Sequence, residues 1–223
     1  MKKIIQIAGV VDIEEAKMLM SLGVEYLGFP LRLPVNKEDH TEAEAAEIIS
    51  KVYEPHKAVL ITYLDKAAEI IEFCHKMSCY RIQLHGDILA LELKALRSAK
   101  PDIVVFKSLV VGESAQDKLE LAIEELSPYV DAFITDTFDP KTGASGATGK
   151  THDWSISKRF VQLSSKPVIL AGGLNPENVR EAIMEVKPAG VDSHTGVEGH
   201  DGRKGMSLVR RFIEEANRGF DSY

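Results

Sequence analysis

This sequence has only two cysteines and no excess of positive charge. Cys74 and Cys79 are its only cysteines, and they suggest neither a disulfide framework nor a metal site. Acidic residues outnumber basic ones by 34 to 27, which gives a formal net charge of −7. No block of basic residues is available to neutralise phosphates along a nucleic-acid backbone. We therefore predict a protein of the reducing cytoplasm with no nucleic-acid partner.

Long hydrophobic runs and flexible linkers are missing as well. The apolar stretch that begins at Ile4 is cut short by Asp12 and Glu14, and no small-residue cleavage site follows, so it differs from a signal peptide. No run approaches the length that spans a membrane. No segment rich in Pro, Gly or Ser divides the 223 residues, of which 44% are hydrophobic. We expect a single domain over residues 1–223 and no membrane partner.

The chain does contain a unit repeated eight times, a short apolar stretch followed by a helical pattern. Thr41 and Glu44 form a capping box at the start of one predicted helix, and Asp153 caps another. The predicted strands cover residues 4–8, 26–29, 58–62, 81–84, 103–107, 132–136, 168–170 and 190–193. The predicted helices begin near residues 12, 41, 66, 87, 114, 153, 175 and 206.

Eight strands that alternate with eight helices predict a (β/α)₈ TIM barrel, because each connection is long enough for a right-handed crossover. The competing architecture is an open, doubly wound α/β sheet. The count of eight favours closure into a barrel. The turn after the first strand also favours it, since this turn reads Gly9-Val-Val-Asp12 and lacks the Gly-x-Gly-x-x-Gly of a dinucleotide site.

Two glycine-containing turns follow the last two predicted strands. Gly172 and Gly173 lack a β-carbon, so their N–H groups can approach an anion closely beside a helix N-terminus. Thr195 and Gly196 follow the eighth strand and add a hydroxyl and an N–H. Loops seven and eight form the usual phosphate site of this barrel, so we predict phosphate binding here. The alternative is an ordinary connection with convenient glycines.

Side chains at the carboxyl ends of other strands are further candidates. Asp136 ends an apolar strand, where burial and a nearby anion would raise the pKa of its carboxyl group toward that of a general acid; the alternative is a loop-capping aspartate. His85 either contacts substrate or only orients its loop. Lys107 either binds an acidic substrate or pairs with a neighbouring carboxylate. The glycine-rich loop 143–149 either closes over the site or is a plain connection.

Several motifs occur in a recognisable order. They are Ile7-Ala-Gly-Val10, Gly28-Phe29, Gln83-Leu-His-Gly86, Thr135-Asp-Thr137, Gly149-Lys-Thr-His-Asp-Trp154, Ala171-Gly-Gly-Leu-Asn-Pro-Glu-Asn178, Val191-Asp192 and Gly196-Val-Glu198. Through them the chain resembles the phosphoribosylanthranilate isomerase family of tryptophan biosynthesis over nearly its whole length. The resemblance implies an Amadori rearrangement, in which an acid protonates the sugar ring oxygen and a base removes the proton from C2. By position, Asp136 would be the acid.

The base departs from the family's pattern. The family's first strand ends Lys-Ile-Cys-Gly-Ile with the cysteine as base, whereas Gln6-Ile-Ala-Gly-Val10 places Ala8 there. The family's basic loop after the second strand, with an arginine that would meet the anthranilate carboxylate, is not reproduced, although Arg32 is present. His194 is the candidate replacement base, because the family usually has a small residue at this point and histidine titrates in the useful range. The alternative is a surface-loop histidine.

Three functions remain open. The first is an isomerase of the phosphoribosylanthranilate type whose base is relocated or slow. The second is another phosphosugar isomerase, epimerase or lyase on the same barrel. The third is a non-catalytic binder of phosphorylated metabolites. In each case we expect a small phosphorylated sugar as partner, a monomer or homodimer, no cofactor and no metal.

Overall fold

Eight parallel strands close into a barrel in the computed structural model, which describes residues 3–34, 40–112, 114–139, 144–145 and 151–223. A further strand of two residues, β7 (Ala144–Ser145), pairs antiparallel with the end of β6. The barrel strands are β1 (Ile4–Ala8), β2 (Tyr26–Pro30), β3 (Lys57–Thr62), β4 (Arg81–Leu84), β5 (Val104–Val111), β6 (Ala132–Asp139), β8 (Val168–Leu170) and β9 (Gly190–Ser193).

Eight α-helices connect the barrel strands within the described ranges. They are α1 (Ile13–Ser21), α2 (Glu42–Ile49), α3 (Ala67–Met77), α4 (Ala90–Ala99), α5 (Gln116–Leu126), α6 (Trp154–Leu163), α7 (Val179–Val186) and α8 (Met206–Phe220). None of these helices combines the length and apolar character that crossing a membrane requires.

The strand register shows how the ring closes. β1 lies between β2 and β9, so that Gln6 pairs with Tyr26 on one side and with Asp192 on the other. On the opposite side of the ring β5 pairs with β6, where Phe106 faces Ala132. All eight neighbouring pairs in the ring are parallel. The TIM barrel prediction is therefore confirmed, and the open sheet is excluded.

Helix α7 starts later than its sequence pattern predicts. Asn175 accepts hydrogen bonds from the N–H groups of Glu177 and Asn178, as a helix cap does. These bonds organise a turn, and the regular helix begins only at Val179. The phosphate-loop candidates Gly172 and Gly173 are therefore followed by a capped turn instead of by the helix itself.

Strands β5 and β6 run further than predicted. β5 continues to Val111 and β6 to Asp139, several residues beyond the expected ends at positions 107 and 136. The two strands pair over this added length, with Val110 opposite Asp136. Lys107 and Asp136 therefore lie within strands, and the alternation of side chains along each strand decides which way they point.

The core has two layers, one inside the barrel and one between the barrel and its helices. The inner cluster contains Val59, Phe106, Ala132, Ile134, Ile169 and Ala171. The outer cluster is larger and includes Phe29, Phe73, Phe133, Phe160 and Phe212, all fully buried. Because successive residues of a strand point to opposite sides, membership of these two clusters identifies the side chains that face the barrel interior.

Candidate active site

Asp136 points into the barrel mouth from β6. It lies two residues beyond Ile134, which belongs to the inner cluster, so both side chains are on the same face of the strand. The carboxylate Oδ1 accepts the N–H of Thr137 at 2.7 Å. Burial of the carboxyl group raises its pKa to about 7, although the Thr137 N–H opposes this shift. A carboxyl group with this pKa can donate a proton at neutral pH.

The turn after β8 has the geometry of an anion-binding loop. Gly172 and Gly173 have φ values of 99° and 64°, in the left-handed region that glycine adopts without strain. Among the described residues, no acceptor takes a hydrogen bond from either of their N–H groups. A β-carbon at position 172 would overlap the hydroxyl oxygen of Thr137, the neighbour of Asp136. The loop therefore lies directly against the strand that carries the predicted acid.

The turn after β9 is held against the turn after β8. Ser193 Oγ donates to the carbonyl oxygen of Leu174 at 2.7 Å. A β-carbon at Gly196 would overlap the same carbonyl oxygen, so only glycine permits this approach. Thr195 and Gly196 therefore lie next to the Gly172–Gly173 turn. The structure brings the four predicted phosphate-binding residues together.

His152 supports this region, and sequence reasoning gave it no role. Its Nδ1 and the hydroxyl of Thr137 are 2.8 Å apart, and its Nε2 lies 2.6 Å from Ser157 Oγ. Burial lowers the pKa of His152 to about 4, so the imidazole is neutral at neutral pH. The motif Gly149-Lys-Thr-His-Asp-Trp154 contained the signal, but the contact with Thr137, on the other side of the loop after β6, became visible only in the structure.

Ala8 and His194 lie side by side at the mouth. Ala8 is the last residue of β1 and is buried. The imidazole of His194 packs on Gly9 so closely that a β-carbon there would overlap the ring. Burial, assisted by the positive charge of Lys204, lowers the pKa of His194 to about 3. His194 is therefore neutral at neutral pH and close to the position of the family's cysteine.

A buried ion pair lies behind His194. Lys204 Nζ and Glu198 Oε1 are 2.6 Å apart, and the lysine side chain is 1% exposed. The same Glu198 oxygen is 3.5 Å from His194 Nε2. Glu15 Oε1, on α1, accepts the N–H of Lys204 at 2.7 Å. This bond connects the loop after β9 to the helix that follows β1. The His194 loop is therefore fixed by contacts that the sequence pattern did not reveal.

Asp192 is a further carboxyl group in the mouth that sequence reasoning did not select. It pairs in register with Gln6, whose amide donates to Gln83 Oε1 at 2.9 Å across the barrel interior. Both Asp192 and Gln6 therefore face inward. Burial and the charge of Asp136 raise the pKa of Asp192 to about 7, while the Gln6 side chain and Lys204 lower it.

His85 also lies in the mouth, but it is engaged with protein groups. Its Nδ1 is 3.0 Å from Ser108 Oγ, to which Gln83 Nε2 donates at 3.3 Å. The ring makes an edge contact with Tyr63. These contacts fix the orientation of His85 at the end of β4.

Lys107 and Arg32 are not brought to the mouth. Lys107 follows Phe106 of the inner cluster and therefore points outward, and its Nζ donates to the carbonyl of Ser108 at 2.6 Å. Arg32 Nε donates to Glu42 Oε1 at 2.7 Å, and its guanidinium lies 4.3 Å from the centroid of the Phe73 ring. Both cations are engaged between the barrel and its helices.

Two other expectations concern the mouth. Apart from Ala144 and Ser145, the predicted closing loop 143–149 lies outside the described residues. Within the described ranges, no group of three or more His, Cys, Asp or Glu side chains has an arrangement that could hold a metal ion.

The chain is similar to known proteins along almost its full length. The family model for N-(5'phosphoribosyl)anthranilate (PRA) isomerase matches residues 5–215. N-(5'-phosphoribosyl)anthranilate isomerase 2 of Methanosarcina mazei is 36% identical over 97% of this chain and 95% of its own length.

Solved structures agree with this assignment. The phosphoribosyl anthranilate isomerase of Thermotoga maritima is similar with a TM-score of 0.81 and 27% identity, covering 97% of this chain and 100% of that one. A phosphoribosyl anthranilate isomerase in complex with reduced 1-(o-carboxyphenylamino)-1-deoxyribulose 5-phosphate has a TM-score of 0.79, 25% identity and the same coverage. With its barrel, its two glycine turns and Asp136 in place, the chain belongs to the N-(5'-phosphoribosyl)anthranilate isomerase family.

Proposed function

We propose that this protein catalyses the Amadori rearrangement of N-(5'-phosphoribosyl)anthranilate to the corresponding aminoketose phosphate, a step of tryptophan biosynthesis. The observation that carries the proposal is the pair of N–H groups at Gly172 and Gly173, which donate to no acceptor among the described residues and lie next to Thr137, the neighbour of Asp136. An anion held there places its attached sugar next to the carboxyl group. Full-length similarity to the family supports the same reaction.

The substrate phosphate binds the two adjoining turns. The amides of Gly172 and Gly173 donate to it from one side, and the hydroxyl of Thr195 with the amide of Gly196 donate from the other. Backbone N–H groups suit a doubly charged oxyanion because they are fixed and bring no charge of their own to be desolvated. The related structure with a bound 5-phosphate compound supports this class of ligand.

Asp136 acts as the general acid. With a pKa near 7, its carboxyl group keeps its proton in a large fraction of molecules at neutral pH, and a bound phosphate dianion would increase that fraction. The proton passes to the ring oxygen of the sugar, the C1–O bond breaks, and the nitrogen lone pair forms the C1=N bond. This step opens the ring and makes the proton on C2 acidic.

His194 contacts the sugar beside Ala8 as a neutral imidazole. The sequence pattern made it the candidate base. Its pKa near 3 keeps it unprotonated, but it also makes the ring a weak proton acceptor, since a base is most effective with a pKa near the working pH. We assign His194 a hydrogen bond to the substrate. His85 lines the same mouth. Arg32 and Lys107 are left out, because Arg32 is bound to Glu42 of α2, whereas Lys107 points away from the barrel interior and donates to the carbonyl of Ser108.

A different phosphosugar isomerase, epimerase or lyase is the second candidate function. Ala8 favours it, because the side chain at the family's cysteine position cannot accept a proton. The alternative predicts no turnover of phosphoribosylanthranilate but strict dependence on Asp136 with the true substrate.

The test is conversion of phosphoribosylanthranilate by the purified protein, together with rescue of a tryptophan auxotroph that lacks this isomerase. We expect measurable turnover and a loss of about 10²–10⁴-fold in kcat for Asp136→Asn, because the amide cannot donate an acidic proton. The exposed Asp102→Asn is the matched control and keeps wild-type activity. Wild-type protein that binds the substrate without turnover, or equal activity in Asp136→Asn, contradicts the proposal.

A further inference from the structure

The proposed function leaves the proton acceptor for C2 unassigned. Ala8 presents a methyl group, and the low pKa of His194 makes it a poor acceptor. A proton acceptor in this reaction must face the sugar from the same mouth as Asp136. On the neighbouring strand β9, the inward-facing side chain nearest to Ala8 is that of Asp192.

Asp136 and Asp192 lie at the same level of the barrel. Ile134 pairs with Ile169, and Leu170 pairs with Val191. If these two registers are continued by one or two residues, Asp136 of β6 and Asp192 of β9 lie on either side of Ala171, the residue that follows β8. Two strand spacings, about 10 Å along the sheet, separate the α-carbons. The side chain between the two carboxyl groups is a single methyl group, so both of them border one space.

Asp192 has an oxygen that no protein group satisfies. The residue is 9% exposed, and its buried Oδ1 has no hydrogen-bond partner among the described residues. The amide oxygen of Gln6, on the neighbouring strand, is likewise without a partner. A buried polar atom left unpaired costs about 1–3 kcal/mol, so native proteins keep few of them. The unpaired oxygens therefore show that the described residues leave the hydrogen bonding of Asp192 and Gln6 incomplete.

The surrounding charges assign different roles to the two carboxyl groups. Two carboxylates that share one space favour a state with a single proton between them. Lys204 and the Gln6 side chain stabilise the ionised form of Asp192, whereas one backbone N–H, from Thr137, stabilises that of Asp136. The proton of the pair therefore stays on Asp136, and Asp192 carries the negative charge.

We propose that Asp192 is the general base of this enzyme and that its carboxylate removes the C2 proton once Asp136 has opened the sugar ring. The inference rests on the proposed function and names the residue that takes over from the cysteine of the family. It assigns Glu198 and Lys204 a positioning role, because they fix the His194 loop that closes this side of the mouth.

The two carboxyl groups account for every proton that moves in the reaction. After ring opening, Asp136 is ionised, and Asp192 takes the C2 proton while the C–H electrons form the C1=C2 bond and the C1=N electrons return to nitrogen. Asp192 then returns its proton to C1, and the hydroxyl proton on C2 passes to Asp136 as the ketone forms. The pair holds one proton before and after the reaction, so no cofactor or co-reactant is needed.

The test compares Asp192→Asn with His194→Asn in the full-length protein acting on phosphoribosylanthranilate. For Asp192→Asn we expect a loss of about 10²–10⁴-fold in kcat with KM within about threefold of wild type, because the phosphate turns are intact. For His194→Asn we expect a loss of less than about tenfold. Asp102→Asn controls for removal of an aspartate far from the mouth. An Asp192→Asn variant with more than a tenth of wild-type kcat overturns the inference.

Two further readouts distinguish a base from a structural residue. The pH dependence of kcat should be bell-shaped in wild type, and Asp192→Asn should lose the acidic limb while Asp136→Asn loses the alkaline one. Deuteration of the substrate at C2 should lower kcat of Asp192→Asn by a larger factor than kcat of Asp136→Asn, because removal of the C2 proton limits the rate of the former. A folded, product-binding Asp192→Asn variant that keeps its acidic limb contradicts the assignment. Failure of the proposed function gives a different result from failure of this inference. In the first case the wild-type protein does not convert phosphoribosylanthranilate, and neither Asp136→Asn nor Asp192→Asn can lower kcat. In the second case the wild type and Asp192→Asn both convert it, and only Asp136→Asn loses activity.

Discussion

The two halves of the barrel differ in how their polar groups are engaged. In the half formed by β6, β8 and β9, which we call the substrate half, two carboxyl groups are buried with raised pKa values, and the amides of Gly172 and Gly173 have no acceptor in the described part of the chain. In the half formed by β2 to β5, Arg32 is bound to Glu42, His85 to Ser108 and Lys107 to a backbone carbonyl. We interpret the first arrangement as one prepared for substrate. We call the β2–β5 side the structural half, because most of its charged side chains are paired, although the buried Thr62 Oγ1 there also lacks a hydrogen-bond partner among the described residues.

The largest expected effect is on stability in the substrate half. The folded protein raises the pKa of Asp192 to about 7 from an ordinary value of 3.8, so the carboxylate destabilises the fold increasingly from about pH 4 to pH 7. Asp192→Asn should therefore be more stable than wild type above pH 7, by up to about 4 kcal/mol, with no difference near pH 4. Urea unfolding at pH 4, 6 and 8 measures this. A destabilised Asp192→Asn at pH 8 contradicts it.

Next in size is the effect of closing the phosphate turn. Gly172→Ala adds a β-carbon that overlaps Thr137 Oγ1 at a position with φ of 99°. We expect KM for substrate to rise by about 10²-fold, since the two amides lose their common orientation. Gly202→Ala is the matched control, because Gly202 also has a positive φ, of 76°, but no atom within 4 Å of its would-be β-carbon. It should lose about 1 kcal/mol of stability and keep its KM. Equal effects of the two substitutions would rule out a phosphate role.

A smaller effect is expected from restoring the family's cysteine. Ala8→Cys places a thiol in the mouth beside His194 and in front of Asp192. In the Asp192→Asn background it should increase kcat by about tenfold, because a second proton acceptor becomes available. In the wild-type background the increase should be smaller, since Asp192 already acts. Steady-state kinetics of the four combinations measures this, and additive effects would show that the two residues do not share a role.

The smallest effect is expected in the structural half. The Arg32 guanidinium lowers the pKa of Glu42, so this pair stabilises the fold above about pH 4.5 and loses its contribution as the pH falls below that. Glu42→Gln should therefore lower stability at pH 7 by about 1 kcal/mol, opposite in sign to Asp192→Asn, and by less at pH 3. Arg32→Ala should likewise lose about 1 kcal/mol while leaving KM within about threefold. A large rise in KM for Arg32→Ala would place that arginine in the substrate site.

The sequence pattern predicted the elements of the substrate half well. Its strands are short apolar runs that stop at glycine, and the structure places β8 and β9 where this pattern put them. Gly172 and Gly173 were recognisable because only glycine adopts their backbone angles without strain. Asp136 was recognisable because a carboxylate in an otherwise apolar strand is uncommon.

The pattern was less informative wherever the direction of a side chain mattered. Lys107 was expected at a strand end, but β5 continues to Val111 and the alternation along it turns Lys107 toward the helices. Asp192 was part of the motif Val191-Asp192 but was given no role, because the run Gly190–Ser193 by itself shows only that a strand is present. Its significance comes from Gln6 on the preceding strand in the ring and from Asp136 across β8, which are far away in the sequence.

The sequence alone predicted the barrel and made the two glycine turns and Asp136 candidates, because each depends on local periodicity or on one residue type at one position. The resemblance to the family added that Ala8 stands where the family has its cysteine. Only the tertiary structure decided which charged groups face the mouth and which protonation states they favour. A pKa depends on burial and on charges within a few ångströms, and here those charges come from β1, β6, β9 and the loop to Lys204, which meet only when the barrel closes.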